Sequence, residues 1–189
     1  MTNENQQTID AIIGEMNEIL SFGKRAENTL ITYRTYAFPF LEYCFEELKK
    51  SPYEATEKDV RSFIITIQAD RELGDRTVNL IISSIHNLFQ SVLDIPWNKY
   101  KVPFRSFDEY IPFVPGKAEL ETFISSIPDL KRKAIFAIMF AAGLRVSEAC
   151  SLHCGDIVMS KKAVRVRPSK RRKERYIGLY ELSQNSIFF

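Results

Sequence analysis

Along the first ninety residues, apolar side chains recur at three- and four-residue spacing, the period of a helix with one buried face. Residues 8–20 place Ile9, Ile12, Ile13, Met16, Ile19 and Leu20 on one stripe. A second stripe runs from Asn28, placed to act as the N-cap, through Leu30, Tyr33, Tyr36, Ala37, Phe40, Leu41, Cys44 and Phe45. The third follows Thr56, with Asp59 at the capping-box position, and carries Val60, Phe63, Ile64 and Ile67. The fourth follows Asp75 with Val78, Ile81, Ile82, Ile85, Leu88, Phe89 and Val92. Together they predict a compact helical bundle of roughly 90 residues.

The period then breaks. Four of the eight prolines fall in residues 96–115, and proline at this density stiffens a chain and prevents helix. The segment therefore reads as a linker between a domain at 1–95 and a second at 116–189, with aromatics such as Trp97 that pack on something at intervals. The second domain opens with a helix over AELETFISSI, ended by Pro128. Asp129 caps an apolar helix, LKRKAIFAIMFAAG, which stops at Gly143. A short helix from Val146 to Leu152 follows, and the alternation of AVRVR and RYIGLY around a basic turn predicts a β-hairpin. The expected fold class is mainly α, with one β-hairpin near the C-terminus.

Composition narrows the class. An apolar fraction of 45% in 189 residues suits a globular chain with a real core. No run approaches the roughly 20 apolar residues that span a bilayer, and MTNENQQTID lacks the features of a signal peptide, so a cytoplasmic protein without membrane contact is expected. Cys44, Cys150 and Cys154 form an odd trio without framework spacing and read as reduced thiols. Metal sites take ligands as spaced pairs from two segments, and His86 is the only histidine besides His153. CSLHC therefore does not read as a zinc site, and neither metal nor cofactor is expected.

Charge changes the picture more. Residues 161–175, KKAVRVRPSKRRKER, carry +8, which leaves −6 on the rest of a chain whose net charge is +2. A basic block on an otherwise acidic protein marks a localised contact with a polyanion. No aromatic interleaves with it, which counts against stacking on single strands. Just before it, in AAGLRVSEACSLHCGDI, Arg145 follows an apolar helix end and precedes Glu148 by three residues. Two readings of Arg145 stand on the residues alone. One is an ordinary surface pair with Glu148. The other is a phosphate grip, since a guanidinium binds two oxygens, never loses its proton, and here starts a short helix whose free N–H groups favour an anion.

These residues resemble the tyrosine recombinases, or phage integrases. GLRVSEACSL, Asp156-Ile157, the Val-Arg-Val strand and KRRKERYIGL match the family's pattern in order. RAENTLITYRTYAFPFLEYC and LGDRTVNLIISSIHNLF are similar to the first long helix and the last helix of its core-binding domain. The resemblance implies a four-helix SAM-like DNA-binding domain followed by the first part of an α+β catalytic domain. It also implies a mechanism without cofactor or metal: two domains clamp duplex DNA, a tyrosine attacks the scissile phosphate, and the covalent 3′-phosphotyrosine is resolved by a 5′-hydroxyl.

By the same resemblance Arg145 is catalytic, with Glu148 supporting it, and Lys170 at the hairpin tip donates a proton to the leaving oxygen. Pro168-Ser169 replaces the glycine-rich turn, so Lys173 or Arg171 can shift into that role. Duplex contacts are expected from Arg171, Arg172, Lys173 and Arg175, from the fourth helix at Arg76 and Asn79, and from Lys24 and Arg25. The family's His-x-x-Arg pair and tyrosine nucleophile have no match: His86 and His153 lack the arginine, and Tyr176 and Tyr180 read as packing residues of the hairpin. The chain is thus expected to be shortened within the catalytic domain, inactive alone, and associated with the nucleoid. Self-association or a full-length recombinase would be further partners. The alternative is a non-catalytic DNA-binding regulator of an intact recombinase.

Overall fold

The structure, a computed structural model, describes residues 2–167 and 174–178. It divides into two units, residues 1–110 and 111–189. No helix among the described residues is long and apolar enough to cross a membrane.

The first unit holds α1 (Asn3–Phe22), α2 (Glu27–Glu46), α3 (Glu57–Arg71) and α4 (Asp75–Ser91). Their apolar stripes meet in one core, where Phe40 of α2 lies between Phe63 of α3 and Phe89 of α4, with ring centroids 5.4 and 5.9 Å away. α2 is the central helix and packs against the other three. It passes through Pro39, which removes one intrahelical donor but leaves Ala37, Phe40, Leu41 and Cys44 buried. Burial pushes the Cys44 thiol up to about 12.

Helix starts follow local chemistry in two of the three places where a cap was expected. The Asp59 carboxylate accepts from Thr56 N–H at 2.7 Å, the reciprocal half of a capping box. Asp129 accepts from Arg132 N–H at 2.8 Å. Asn28 is not a cap. Lys24 takes the left-handed conformation (φ 51°) and turns the chain early, so α2 begins at Glu27 with Ala26 at the N-cap and no side chain capping it.

Residues 96–110 belong by their contacts to the first unit, where sequence reading placed the start of a linker. Trp97 lies against Phe89 and His86 of α4, with centroids 5.4 and 5.0 Å away, and Val102 is buried in the helical core. The segment is then fastened to α3 and α4 by polar groups. Arg61 donates to the Lys101 carbonyl at 2.8 Å, and Asp75 receives Arg105 Nη1 at 3.0 Å. Proline prevented helix here, as its chemistry requires, but apolar side chains between the prolines still found the core.

The second unit begins with α5 (Lys117–Ser126) and α6 (Leu130–Ala142), which lie against each other with Phe123 and Phe136 edge to face at 5.6 Å. Gly143 ends α6 at φ 57°, a conformation glycine adopts without a Cβ clash. α7 (Val146–Cys150) follows, then a three-stranded antiparallel sheet of β1 (Ile157–Val158), β2 (Ala163–Val166) and β3 (Arg175–Gly178) in the order β1-β2-β3. The hairpin is present, with Val164 opposite Ile177 and Val166 opposite Arg175. β1 was not foreseen, because two residues are too few to show alternation. Val164 and Val166 are buried with Ala142, Leu144 and Ala149, which seals the sheet onto the α6–α7 corner.

Candidate nucleic-acid interface

The left-handed turn at Gly143 buries Leu144 and delivers Arg145 to the N-cap position of α7. Glu148, one turn on, folds back: its Oε2 accepts from Arg145 N–H at 3.0 Å and its Oε1 lies 3.4 Å from Arg145 Nη1. A second arginine reaches the same carboxylate from the sheet. Arg175 Nη2 donates to Oε1 at 3.0 Å and to Oε2 at 2.9 Å. Cross-strand partners share a face, so pairing with buried Val166 turns Arg175 toward α7.

The electrostatics follow from this geometry. The Glu148 side chain is 1% exposed, whereas that of Arg145 is 57% exposed. This is not the surface pair of the alternative sequence reading, because the acid is buried and only the base faces out. The hydrogen bond from Arg175, with the Arg145 N–H and the two guanidinium charges, outweighs burial and holds the Glu148 carboxyl down at about 2. Two guanidinium groups on one carboxylate leave one positive charge in excess, presented by Arg145. A buried acid that is ionised at neutral pH fixes the arginine's direction before any anion arrives. The Arg145 N–H itself is taken by Glu148 and is not open to an anion.

A second arginine–carboxylate cluster occupies the other face of β2. Asp156, 1% exposed, accepts from His153 N–H and from Arg167 Nε, each at 3.0 Å, and lies 3.5 Å from Arg165 Nε. The His153 N–H and then the Arg167 and Arg165 charges lower its pKa against burial. Sequence reading passed over Arg165 and Arg167. Their signal was present in the alternation of β2, where Val164 and Val166 point inward and residues 165 and 167 must point out.

The other expected contacts are distributed unevenly. Lys170, Arg171, Arg172 and Lys173 lie outside the described residues. Arg175 is turned inward onto Glu148, and its Nη2 is spent there. Asn79 is engaged with the protein: its Nδ2 donates to the Arg105 carbonyl at 2.9 Å and its Oδ1 accepts from Arg105 N–H at 2.8 Å. Arg76 is exposed, with its guanidinium 4.9 Å from the Phe107 ring centre. Lys24 and Arg25 are exposed at the α1–α2 turn. Among the described residues no group of three or more His, Cys, Asp or Glu is placed to hold a metal ion.

Comparison with known proteins agrees with this layout. The profile of the phage integrase N-terminal SAM-like domain matches residues 12–99, and that of the phage integrase family matches residues 117–187. A putative integrase/recombinase of Sinorhizobium fredii, y4qK, is 27% identical over 165 residues, covering 87% of this chain and 52% of that protein. The tyrosine recombinase XerA of Pyrococcus horikoshii is 28% identical over 169 residues, covering 89% and 55%. The chain thus spans about half the length of these relatives. Among solved structures, the Tn1549 transposon integrase in complex with circular intermediate DNA shares the fold, with a TM-score of 0.56 at 19% identity over 90% of this chain and 61% of that one. The two profiles match the two units in order, with Arg145 inside the second range: the chain belongs to the phage integrase family of tyrosine recombinases.

Proposed function

We propose that this chain binds duplex DNA and grips one backbone phosphate through Arg145, as the phosphate-holding part of a tyrosine-recombinase site. The observation that carries the reading is the buried Glu148 carboxylate, which aims an exposed guanidinium and holds it oriented. A phosphate under attack gains negative charge on its non-bridging oxygens, and a donor fixed in advance stabilises that charge without reorganising. In this reading Arg145 touches the phosphate, Glu148 and Arg175 position it, and Lys170 supplies the proton to the leaving 5′-oxygen. Arg76, Lys24 and Arg25 add phosphate contacts from the first unit, and Arg171, Arg172 and Lys173, outside the described residues, add them from the basic run. Asn79 is better read as a structural clamp on residue 105.

These 189 residues bind without cutting. Neither histidine begins a His-x-x-Arg motif. Tyr176 is adjacent to Arg175 on β3 and points to the opposite face, away from Glu148 and Arg145. Tyr180 lies outside the described residues, and with no nucleophile beside the phosphate among the described ones, the remaining donors hold the ground state only. The test is a gel shift on duplex DNA run beside a trapping assay on nicked duplex substrates. A salt-sensitive shift with no covalent adduct supports the proposal and fits a role as a regulator that occupies recombination sites. A covalent adduct refutes the absence of cutting, and no shift at low salt refutes DNA binding.

A further inference from the structure

We infer that Arg165 and Arg167, braced on Asp156, form a second phosphate contact to duplex DNA, on the face of the hairpin opposite Glu148. The inference rests on the DNA-binding reading above and adds to it a site that reading does not use. Val164 and Val166 turn inward, so Arg165 and Arg167 project from the outer face. Asp156 sits one step beyond the pair Ile157–Val164, which places it across from Arg165.

Charge and hydrogen bonding both leave this cluster incomplete. One carboxylate faces two guanidinium groups, whose side chains are 38% and 44% exposed. Lys161 adds a third cation to the same face, with its ammonium 5.3 Å from the ring of Tyr176, the cross-strand partner of Arg165. The opposing charge is Glu174, 3.6 Å from Arg165 Nε. Arg165 Nε lies between Asp156 at 3.5 Å and Glu174 at 3.6 Å, within ion-pair range of both. It is buried, and among the described residues it has no hydrogen-bond acceptor.

A buried donor left unmade in this way is costly, and an oxyanion drawn to this guanidinium would offset the cost. Arg167, by contrast, is already bonded through Nε to Asp156 and holds the acid in place. Arg165, with its Nε buried between the two carboxylates but its side chain 38% exposed, is therefore the group that can turn its guanidinium from Glu174 to an incoming phosphodiester. Such a contact carries no base information and sets register along the backbone.

Duplex affinity and its salt dependence would be measured for the wild-type chain, Arg165→Gln, Glu174→Gln and the double variant, with Arg145→Gln alongside. Asp156 retains Arg167 and the His153 N–H in Arg165→Gln, so the fold is expected to persist. Losing one phosphate contact should weaken binding roughly tenfold near 100 mM salt and lower the slope of log K against log [salt] by about 1. Glu174→Gln should tighten binding several-fold, and that gain should vanish in the double variant; a structural role for Arg165 would not produce this coupling.

Wild-type affinity and slope in Arg165→Gln, with binding still dependent on Arg145, overturns the second contact and leaves the first intact. No wild-type binding at all overturns both. Should Arg165→Gln fail to fold, the Arg165 Nε–Hε resonance of the wild-type protein serves instead. A shift on adding a short duplex supports the contact, and an unmoved resonance overturns it.

Discussion

Arg175 and Glu148 stand 27 residues apart in sequence, and a single guanidinium nitrogen of Arg175 bonds both carboxylate oxygens of Glu148, at 2.9 and 3.0 Å. The sheet is thereby tied to the short helix that begins at Arg145. An arginine that composition assigns to a polyanion is instead a structural partner of a buried acid, and it helps aim the arginine that faces solvent.

Replacing Glu148 by Gln should therefore disturb Arg145 more than its own burial suggests. The amide still accepts from one donor, but two guanidinium groups lose their counter-charge and repel. DNA affinity is expected to fall by about tenfold, the scale of one displaced phosphate contact. Arg145→Ala should show a loss of similar size. Equal affinities for wild type and Glu148→Gln would contradict the positioning role.

Acid should loosen the second unit before the first. Glu148 has an ordinary pKa of 4.5 and is held at about 2 when folded, so the unfolded chain binds the proton more tightly. Its contribution is complete above about 4.5 and is lost as pH falls toward 2. Asp156, also lowered, acts in the same direction. Amide signals of Val164 and Val166 should report lost structure in that window, and Glu148→Gln should flatten the dependence. Trp97 fluorescence reports the first unit separately, where Asp59 is lowered: burial opposes the shift, and bonds from Lys50 and Thr56 prevail.

Asn79→Ala removes both bonds that hold residue 105 to α4. A loss of about 2 kcal/mol is expected, the scale for two neutral hydrogen bonds left unmade. Hydrogen exchange should show it locally, as lost protection of the Arg105 amide with little change in α1. An unchanged exchange rate at Arg105 would mean that Arg61 and Asp75 suffice to hold the segment.

The three thiols should separate by reactivity. Cys150 and Cys154 are exposed and should titrate rapidly with a disulfide reagent at neutral pH. Cys44 is buried and its thiol is raised to about 12, so it should react only on unfolding. Fast labelling of all three would mean that the helical core opens readily.

Much of the fold was legible because its signals are local. The stripe of Val78, Ile81, Ile82, Ile85, Leu88 and Phe89 predicted α4, and all six are buried. Gly143 marked the end of α6, and Val164 and Val166 marked the inward face of β2. The Arg145–Glu148 relation was also readable, since residues three apart on a helix are neighbours. What periodicity cannot express is a partner 26 or 27 positions away. Asn79, an ordinary exposed-looking polar residue on α4, clamps residue 105. Arg175, one of nine cations in a basic run, turns inward because its strand register places it beside Val166.

The sequence by itself determined which segments are helical, where the chain breaks and where positive charge collects, since each depends on neighbours along the chain. Only the tertiary structure decided which of those charges face outward. A buried carboxylate selects its partners by geometry in three dimensions, and Glu148 and Asp156 each drew arginines from elements that the linear pattern treats as equivalent.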